Sequence, residues 1–102
     1  MPVTVEFNDK TAVIKLSGGI DYSMQETFKE VNDQALANND AAGIVVDFTE
    51  ATFLDSAGIR ALITLKKGAD ELGKAMVIKN CSEAVFKIFE IGGFDIMFTF
   101  EN

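Results

Sequence analysis

The chain has 102 residues, 48% of them hydrophobic, a formal net charge of −7 and no histidine. That length allows one domain, residues 1–102, with a single hydrophobic core. The acidic charge argues against a nucleic-acid partner, because no cluster of basic residues is present to neutralise phosphates. The lack of histidine excludes a Ser-His-Asp relay and most transition-metal sites, so we expect neither an enzyme nor a bound metal or cofactor.

The sequence also predicts the compartment. Its single cysteine, Cys81, cannot form an intramolecular disulfide bond. We find no signal-peptide pattern and no apolar run long enough to cross a bilayer. We therefore expect a cytoplasmic protein with no membrane partner. Cys81 has no basic neighbour except Lys79, so we expect its thiol to be structural and unreactive.

The first residues predict a β-hairpin. Apolar side chains alternate over residues 3–7 and again over residues 12–16, and the turn-forming residues 8–10 separate the two runs. Gly18 and Gly19 are expected to end the second strand.

A helix is expected next, capped by Asp21 or Ser23. Ser23 and Glu26 have the spacing of a capping box, in which each side chain bonds the other residue's backbone N–H. Apolar residues recur at helical spacing on one face of this helix, namely Met24, Phe28, Val31 and Ala35.

The middle of the chain predicts a strand over residues 43–48, and its uninterrupted apolar run at 44–46 favours burial on both faces. A second helix is expected from Ser56 to about Leu72, with Gly73 just beyond its end. The residues predicted to line its inner face are Gly58, Ala61, Leu62, Leu65, Ala69 and Leu72.

The last third predicts a central strand at residues 75–78 and a third helix, which Ser82 caps and Gly92 and Gly93 end. The predicted class is therefore α/β, a small mixed β-sheet with helices packed against it, in the order β-β-α-β-α-β-α-β. The inward residues of the third helix are expected to be Val85, Ile88 and Phe89, and those alternating in a final edge strand Ile96, Phe98 and Phe100.

Residues 53–59 carry the most functional information. Ser56 lies where a strand meets a helix, which makes it the expected N-cap. No histidine is present to act as its general base, so Ser56 is better suited to receive a phosphate than to attack a substrate. The free N–H groups and the positive end of the helix dipole would stabilise that phosphate.

Three segments together resemble the STAS domain family, and within it the single-domain bacterial anti-sigma factor antagonists. They are residues 16–21, residues 53–59 with Ser56 at the family's phosphorylated position, and residues 82–94 with the family's third helix and its glycine stop. Gly19 stands where the family usually has an acidic residue, and Ala57 stands where many antagonists have a second hydroxyl.

The resemblance implies a regulatory switch. The unphosphorylated form would bind an anti-sigma factor that is also a serine-protein kinase, releasing that protein's target. Phosphorylation of Ser56 would end the binding, and a serine phosphatase would reset it, with ATP and Mg²⁺ belonging to the kinase. The residues that the resemblance places in the partner-binding surface are Asp21, Asp55, Ala57, Gly58 and Ile59.

Each of these residues also has a purely structural interpretation. Ser56 can be only a helix cap, Asp55 a cap or turn former, and Asp21 a cap for the first helix. Ile59 and Ile63 can be core residues at a helix margin or an exposed docking anchor. At the level of function, the alternatives are a STAS scaffold that does not switch, and a module that senses a small molecule near the Asp21 and Asp55 loops.

Overall fold

The computed structural model describes residues 2–102, and it contains the predicted order of strands and helices. Two short 3-10 turns add to that order. The elements are β1 (Val3–Asn8), β2 (Thr11–Ile20), a first 3-10 turn (Tyr22–Met24), α1 (Gln25–Ala37), β3 (Gly43–Leu54), α2 (Ser56–Glu71), β4 (Ala75–Lys79), α3 (Glu83–Ile91), a second 3-10 turn (Asp95–Met97) and β5 (Phe100–Glu101).

The five strands form one mixed sheet whose spatial order, β1-β2-β3-β4-β5, follows the chain. β1 and β2 are antiparallel, which confirms the predicted hairpin, and Val3 lies opposite Leu16. The remaining neighbours are parallel, so each is connected through a helix.

The hydrophobic core lies on one face of the sheet. Ile44 and Val46 of β3 are buried, whereas Val45 between them is only partly buried. The prediction of burial on both faces is therefore wrong for this strand, because the buried residues of all three helices belong to the same core as Ile44 and Val46. Alternate strand residues consequently face the opposite, less covered side.

The two central strands are longer than the sequence indicates. β3 continues to Leu54 rather than ending at residue 48, and β2 continues through Gly18 and Gly19 to Ile20. The two strands stay paired as far as Ile20 and Leu54, because the register of the pairing shifts at the glycines and the ladder continues beyond them. Gly18 adopts a φ of 74°, which glycine tolerates without strain. The prediction that the glycines end the strand is therefore wrong.

The C-terminal edge strand is also shorter than predicted. Ile96 lies in the second 3-10 turn and is 88% exposed, and only Phe100–Glu101 pairs with β4. Phe98 and Phe100 turn inward, with ring centroids 5.7 and 5.2 Å from that of Phe89. Aromatic packing onto α3 therefore places this segment more than strand pairing does.

The helices begin and end close to their predicted positions. α2 ends at Glu71, and Leu72 is its C-cap, which leaves that side chain exposed rather than on the inner face. Ser82 caps α3 as predicted, by accepting a hydrogen bond from the Val85 N–H. Ile88 is only partly buried.

The start of α1 differs from its prediction. Its N-cap is Met24, which makes no capping bond through its side chain, so the predicted capping box is not formed. The Asp21 carboxylate instead accepts hydrogen bonds from the Ser23 N–H and hydroxyl and caps the 3-10 turn before α1. Within the described part of the chain, none of the helices is both long and apolar enough to span a membrane.

Candidate functional site

The predicted site residues lie where β2 and β3 end and lead into the helices. The backbone N–H of Asp55 donates to the carbonyl oxygen of Ile20 over 3.1 Å, which extends the pairing of the two strands by one residue. The loop before the first 3-10 turn and the loop before α2 are therefore held side by side.

One carboxylate joins these two loops. Asp55 Oδ1 accepts from the backbone N–H of Gly58, and Asp55 Oδ2 accepts from that of Tyr22, each over 3.0 Å. Asp55 is therefore the N-cap of α2, and the prediction that Ser56 is the cap is wrong. Aspartate and serine are both good N-caps, and only the aspartate has a second oxygen to bond Tyr22.

Ser56 is the first residue of α2, and its side chain is exposed. Asp55 supplies the capping bond, so the Ser56 hydroxyl is not required for the cap. The first turn of the helix contains no acidic residue. This position thus combines an accessible hydroxyl with the positive end of a 16-residue helix dipole.

Gly58 and Ile59 are buried beneath Ser56 and the exposed residues around it. A Cβ atom on Gly58 would come 2.5 Å from Leu54 Cδ1 and 3.0 Å from the carbonyl oxygen of Ile20, so only glycine lets α2 start so close to the strand ends. Ile59 is 6% exposed and belongs to the hydrophobic core, as the core interpretation expected. Its neighbour on that flank, Ile63, is partly buried against the same core. These residues support the surface from below.

The site residues therefore form two layers. Asp21 and Ser56 are exposed, and Asp55 and Ala57 are partly buried. Gly58 and Ile59 form the layer beneath them.

Two exposed side chains that the sequence analysis did not single out flank this surface. Tyr22 is 70% exposed and Phe53 is 50% exposed. Tyr22 follows Asp21 in the first loop, and Phe53 is two residues before Asp55, where β3 is about to end. In the sequence, the one sign that these two rings are exposed is that neither fits the alternating or helical spacing of the buried apolar residues.

The remaining candidate for chemistry, Cys81, is a poor nucleophile. Its burial raises the pKa of the thiol to about 11, so the protonated form dominates at neutral pH. Across residues 2–102, three or more acidic or cysteine side chains are nowhere grouped so that they could hold a metal ion.

Comparison with known proteins identifies the family. The family model described as "Mlab, STAS domain" matches residues 3–99. The match covers nearly the whole chain, so the chain belongs to the STAS domain family. The expected membership and the expected fold class are both confirmed.

Two relatives match most of the chain. A Paenibacillus polymyxa protein named "Anti-sigma F factor antagonist" is 21% identical over 103 residues, which are 100% of this chain and 88% of that protein. A STAS-domain containing protein of Pseudomonas aeruginosa (strain UCBPP-PA14) is 28% identical over 85 residues, which are 83% of this chain and 82% of that protein.

Solved structures of the anti-sigma factor antagonist SpoIIAA share the fold. Its unphosphorylated form aligns with a TM-score of 0.81 at 21% identity, over 98% of this chain and 88% of that one. The phosphorylated form of the Bacillus SpoIIAA aligns with a TM-score of 0.74 at 20% identity, over 98% and 91% of the two chains.

Proposed function

We propose that this chain is an anti-sigma factor antagonist whose partner binding is switched by phosphorylation of Ser56. In its unphosphorylated form it binds an anti-sigma factor with serine-kinase activity and so frees that protein's target. The kinase transfers phosphate from ATP to the Ser56 hydroxyl, and a serine phosphatase removes it. The chain is the substrate and regulator in this cycle, not the enzyme.

The observation that carries the proposal is that the cap of α2 and the proposed phosphate acceptor are two different residues, Asp55 and Ser56. Asp55 caps α2, so modification of the Ser56 hydroxyl removes no capping bond. A phosphate adds about −1.5 to −2 charge at neutral pH, and a helix N-terminus favours such a charge. Phosphorylation would therefore leave the fold intact while changing the surface.

Phosphorylation must change the binding free energy enough to separate the two proteins. Changing a complex from 99:1 to 1:99 requires about 5.5 kcal/mol of differential binding. A phosphate supplies a penalty of that order only where it is buried without a partner, because a solvated phosphate at the edge of an interface is screened. The exposed rings of Tyr22 and Phe53 beside the Ser56 loop favour an interface centred there.

The comparisons support the class of function. One relative of full coverage is named an anti-sigma F factor antagonist. The solved structures of SpoIIAA in unphosphorylated and phosphorylated forms indicate that a protein with this fold retains it when it carries a phosphate. Asp21, Asp55 and Ala57 complete the proposed docking surface, with Gly58 and Ile59 shaping it from below.

The test uses three tagged proteins as parallel baits in lysate of the native host: wild type, Ser56→Asp and Ser82→Asp. Ser82→Asp is the matched control, because it adds the same charge at the other capped helix start and aspartate is itself a good cap. We expect wild type and Ser82→Asp to capture the same ATP-dependent kinase, identified by mass spectrometry. We expect Ser56→Asp to capture at least about tenfold less of it, equivalent to about 1.4 kcal/mol.

The captured kinase is then incubated with labelled ATP and either wild type or Ser56→Ala. Label that enters the wild type, maps to Ser56 and is absent from Ser56→Ala supports the proposal. Equal capture by all three baits, or label that enters Ser56→Ala as strongly as wild type, overturns it.

A second candidate is a STAS scaffold that assembles with itself. Apolar side chains are exposed around the end of α3, where Ile91 is 81%, Ile96 88% and Met97 40% exposed. Light scattering coupled to gel filtration distinguishes the two functions. A concentration-dependent oligomer that Ile96→Asp dissolves and Ser56→Asp leaves unchanged favours the scaffold, and a monomer at every concentration excludes it.

A further inference from the structure

Arg60 is the basic residue nearest to Ser56 along the chain. It follows Ser56 by four residues within α2, so the two side chains lie one turn apart on the same side of the helix. Cβ atoms at this spacing are about 5–6 Å apart, a gap that a long guanidinium side chain and a phosphoserine can close. Helical side chains also lean toward the helix N-terminus, which directs Arg60 toward the first turn of α2.

The surroundings of Arg60 agree with that direction. A cavity of about 460 Å³ lies between α1 and α2, and Arg60 lines it together with Ala57 and Tyr22. Ala57 is the residue directly after Ser56, and the backbone N–H of Tyr22 donates to Asp55, the residue directly before it. Arg60 therefore borders the same space as the two residues that flank the Ser56 position.

The charge of Arg60 is not neutralised within the protein. Arg60 is exposed, and it forms no ion pair within residues 2–102. The acidic side chains around the site already have other partners. Asp55 accepts from two backbone N–H groups, and Asp21 accepts from the N–H and hydroxyl of a nearby serine. Asp33, which also lines the cavity, pairs with a lysine at 2.8 Å.

We propose that Arg60 holds the phosphate of phosphorylated Ser56 in an ion pair within α2. This inference rests on the proposed phosphorylation and adds the residue that the phosphate contacts. The planar guanidinium group donates paired hydrogen bonds to two phosphate oxygens, which the ammonium group of a lysine cannot do in the same geometry. Phosphorylation then changes the surface twice, because it adds an anion and occupies the free cation beside it. Any partner carboxylate that Arg60 contacts beforehand loses that contact.

The experiment incorporates phosphoserine at position 56 during synthesis by codon reassignment, so it needs no kinase. Phosphorus NMR measures the second pKa of the phosphate, which is ordinarily about 6. A guanidinium group beside the phosphate favours the dianion, so Arg60→Gln should raise that pKa by about 0.3–0.5. Arg60→Lys keeps the charge and loses the paired geometry, so its value should lie between the two.

Lys67→Gln is the matched control. It removes the same charge from an exposed position of α2, about 16 Å from Ser56 along the helix axis. At 0.1 M salt that separation exceeds the Debye length of about 10 Å, so the phosphate pKa should change by less than about 0.1. Thermal melts of the unphosphorylated variants verify that each one folds.

Arg60 also supplies a direct measurement of the contact. It is the only arginine in the chain, so its Nε–H group gives a single signal in a ¹⁵N spectrum. In the phosphorylated protein this signal should move with the same midpoint as the phosphorus signal. In the unphosphorylated protein it should stay constant over that pH range, because the guanidinium group remains protonated.

Three outcomes overturn the proposal. The first is a phosphate pKa that Arg60→Gln changes by less than about 0.1. The second is an equal rise for Arg60→Gln and Lys67→Gln, which would reflect overall charge alone. The third is an Nε–H signal that ignores the titration of the phosphate. None of these affects capture of the kinase or labelling at Ser56. Conversely, a kinase that does not label Ser56 overturns the switch even where the incorporated phosphoserine pairs with Arg60.

Discussion

The N-termini of α2 and α3 are capped in the same way but by different residues. In each, the residue before the helix accepts a hydrogen bond from the backbone N–H three residues later. Asp55 accepts from Gly58 over 3.0 Å, and Ser82 accepts from Val85 over 3.2 Å. The two helices therefore begin with equivalent caps.

The difference is the position of the hydroxyl. In α3 the serine is the cap, its oxygen is engaged, and Glu83 places an acid in the first turn. In α2 the acid is the cap, and Ser56 comes one residue later, exposed, in a first turn without an acid. The hydroxyl of Ser82 is therefore engaged in the cap of α3, whereas the cap of α2 leaves the hydroxyl of Ser56 free. The α2 start also lacks the negative charge that α3 already has at the equivalent position.

The largest effect that tests this comparison is the reactivity of Cys81, which precedes the α3 cap. A thiol near a helix N-terminus ordinarily becomes more acidic, but burial raises the pKa of Cys81 to about 11. We expect iodoacetamide to alkylate it at pH 8 about a hundredfold more slowly than an unperturbed cysteine, in proportion to thiolate content. The measurement is the alkylation rate by mass spectrometry between pH 7 and pH 11, with glutathione as control.

The same shift has a consequence for stability. The folded protein retains the thiol proton to higher pH than the unfolded chain, so this contribution is complete below about pH 9 and is lost as pH rises toward 11. Rapid alkylation at pH 8 would show that the α3 start is as open as that of α2.

The next largest effect is the removal of each cap. Asp55→Ala should lower the free energy of unfolding by about 2 kcal/mol, because it removes the α2 cap and the bond to the Tyr22 N–H. Ser82→Ala should cost about 1 kcal/mol, because only one bond is lost. Urea denaturation measures both.

Asp55→Asn provides the matched control for this pair of bonds. It keeps one acceptor oxygen and loses the other, so its stability should lie between those of wild type and Asp55→Ala. Equal losses for Asp55→Ala and Ser82→Ala would mean that the bond between the two loops contributes nothing.

The sequence predicts the elements well, because hydrophobic periodicity reports directly on which face is buried. Alternation in residues 3–7 and 12–16 identifies the hairpin, and helical spacing identifies all three helices. The sequence does not predict where a strand ends when pairing with a neighbouring strand determines that end. The pairing of Ile20 with Leu54 continues β2 past two glycines, and aromatic packing on Phe89 replaces the expected alternation at the C-terminus.

The site is harder to predict than the fold. Sequence places Asp55 and Ser56 at the junction, yet the choice of cap between them depends on a bond to Tyr22, 33 residues away. The cavity of about 460 Å³ between α1 and α2 is not visible in the sequence either, because it depends on how the two helices pack against each other.

A smaller effect tests how closely α2 approaches the strands. Gly58→Ala should destabilise the fold by about 1–2 kcal/mol net, because overpacking outweighs a gain of about 1 kcal/mol in helix propensity. The added methyl meets the Ile20 carbonyl and the buried Leu54 side chain. Val85 occupies the equivalent place in α3, so the requirement for glycine belongs to α2 alone.

Gly68→Ala is the matched control for Gly58→Ala within α2. Its new methyl meets only the end of the Leu36 side chain, which can move, so the propensity gain should bring the net change close to zero. Thermal denaturation of the two variants gives the comparison. A neutral Gly58→Ala would show that the α2 start can move away from the strands.

The smallest effect exchanges the first residues of the two helices. Ser56→Glu gives α2 the acid that α3 has at Glu83, and it should stabilise the fold by about 0.3–1 kcal/mol at low salt through the helix dipole. The nearby Asp55 carboxylate opposes the gain, so the lower end of that range is expected. Glu83→Ser should lose a similar amount.

Salt identifies the cause of both changes. The Debye length falls from about 10 Å at 0.1 M to about 3 Å at 1 M, so both differences should shrink in 1 M sodium chloride if they arise from the dipole. Urea denaturation at the two salt concentrations measures them. A Ser56→Glu variant that loses more than about 1 kcal/mol in both solutions would show that the α2 start does not tolerate an anion. Phosphorylation would then act by unfolding the first turn of α2, and the proposed switch with an intact fold would be wrong.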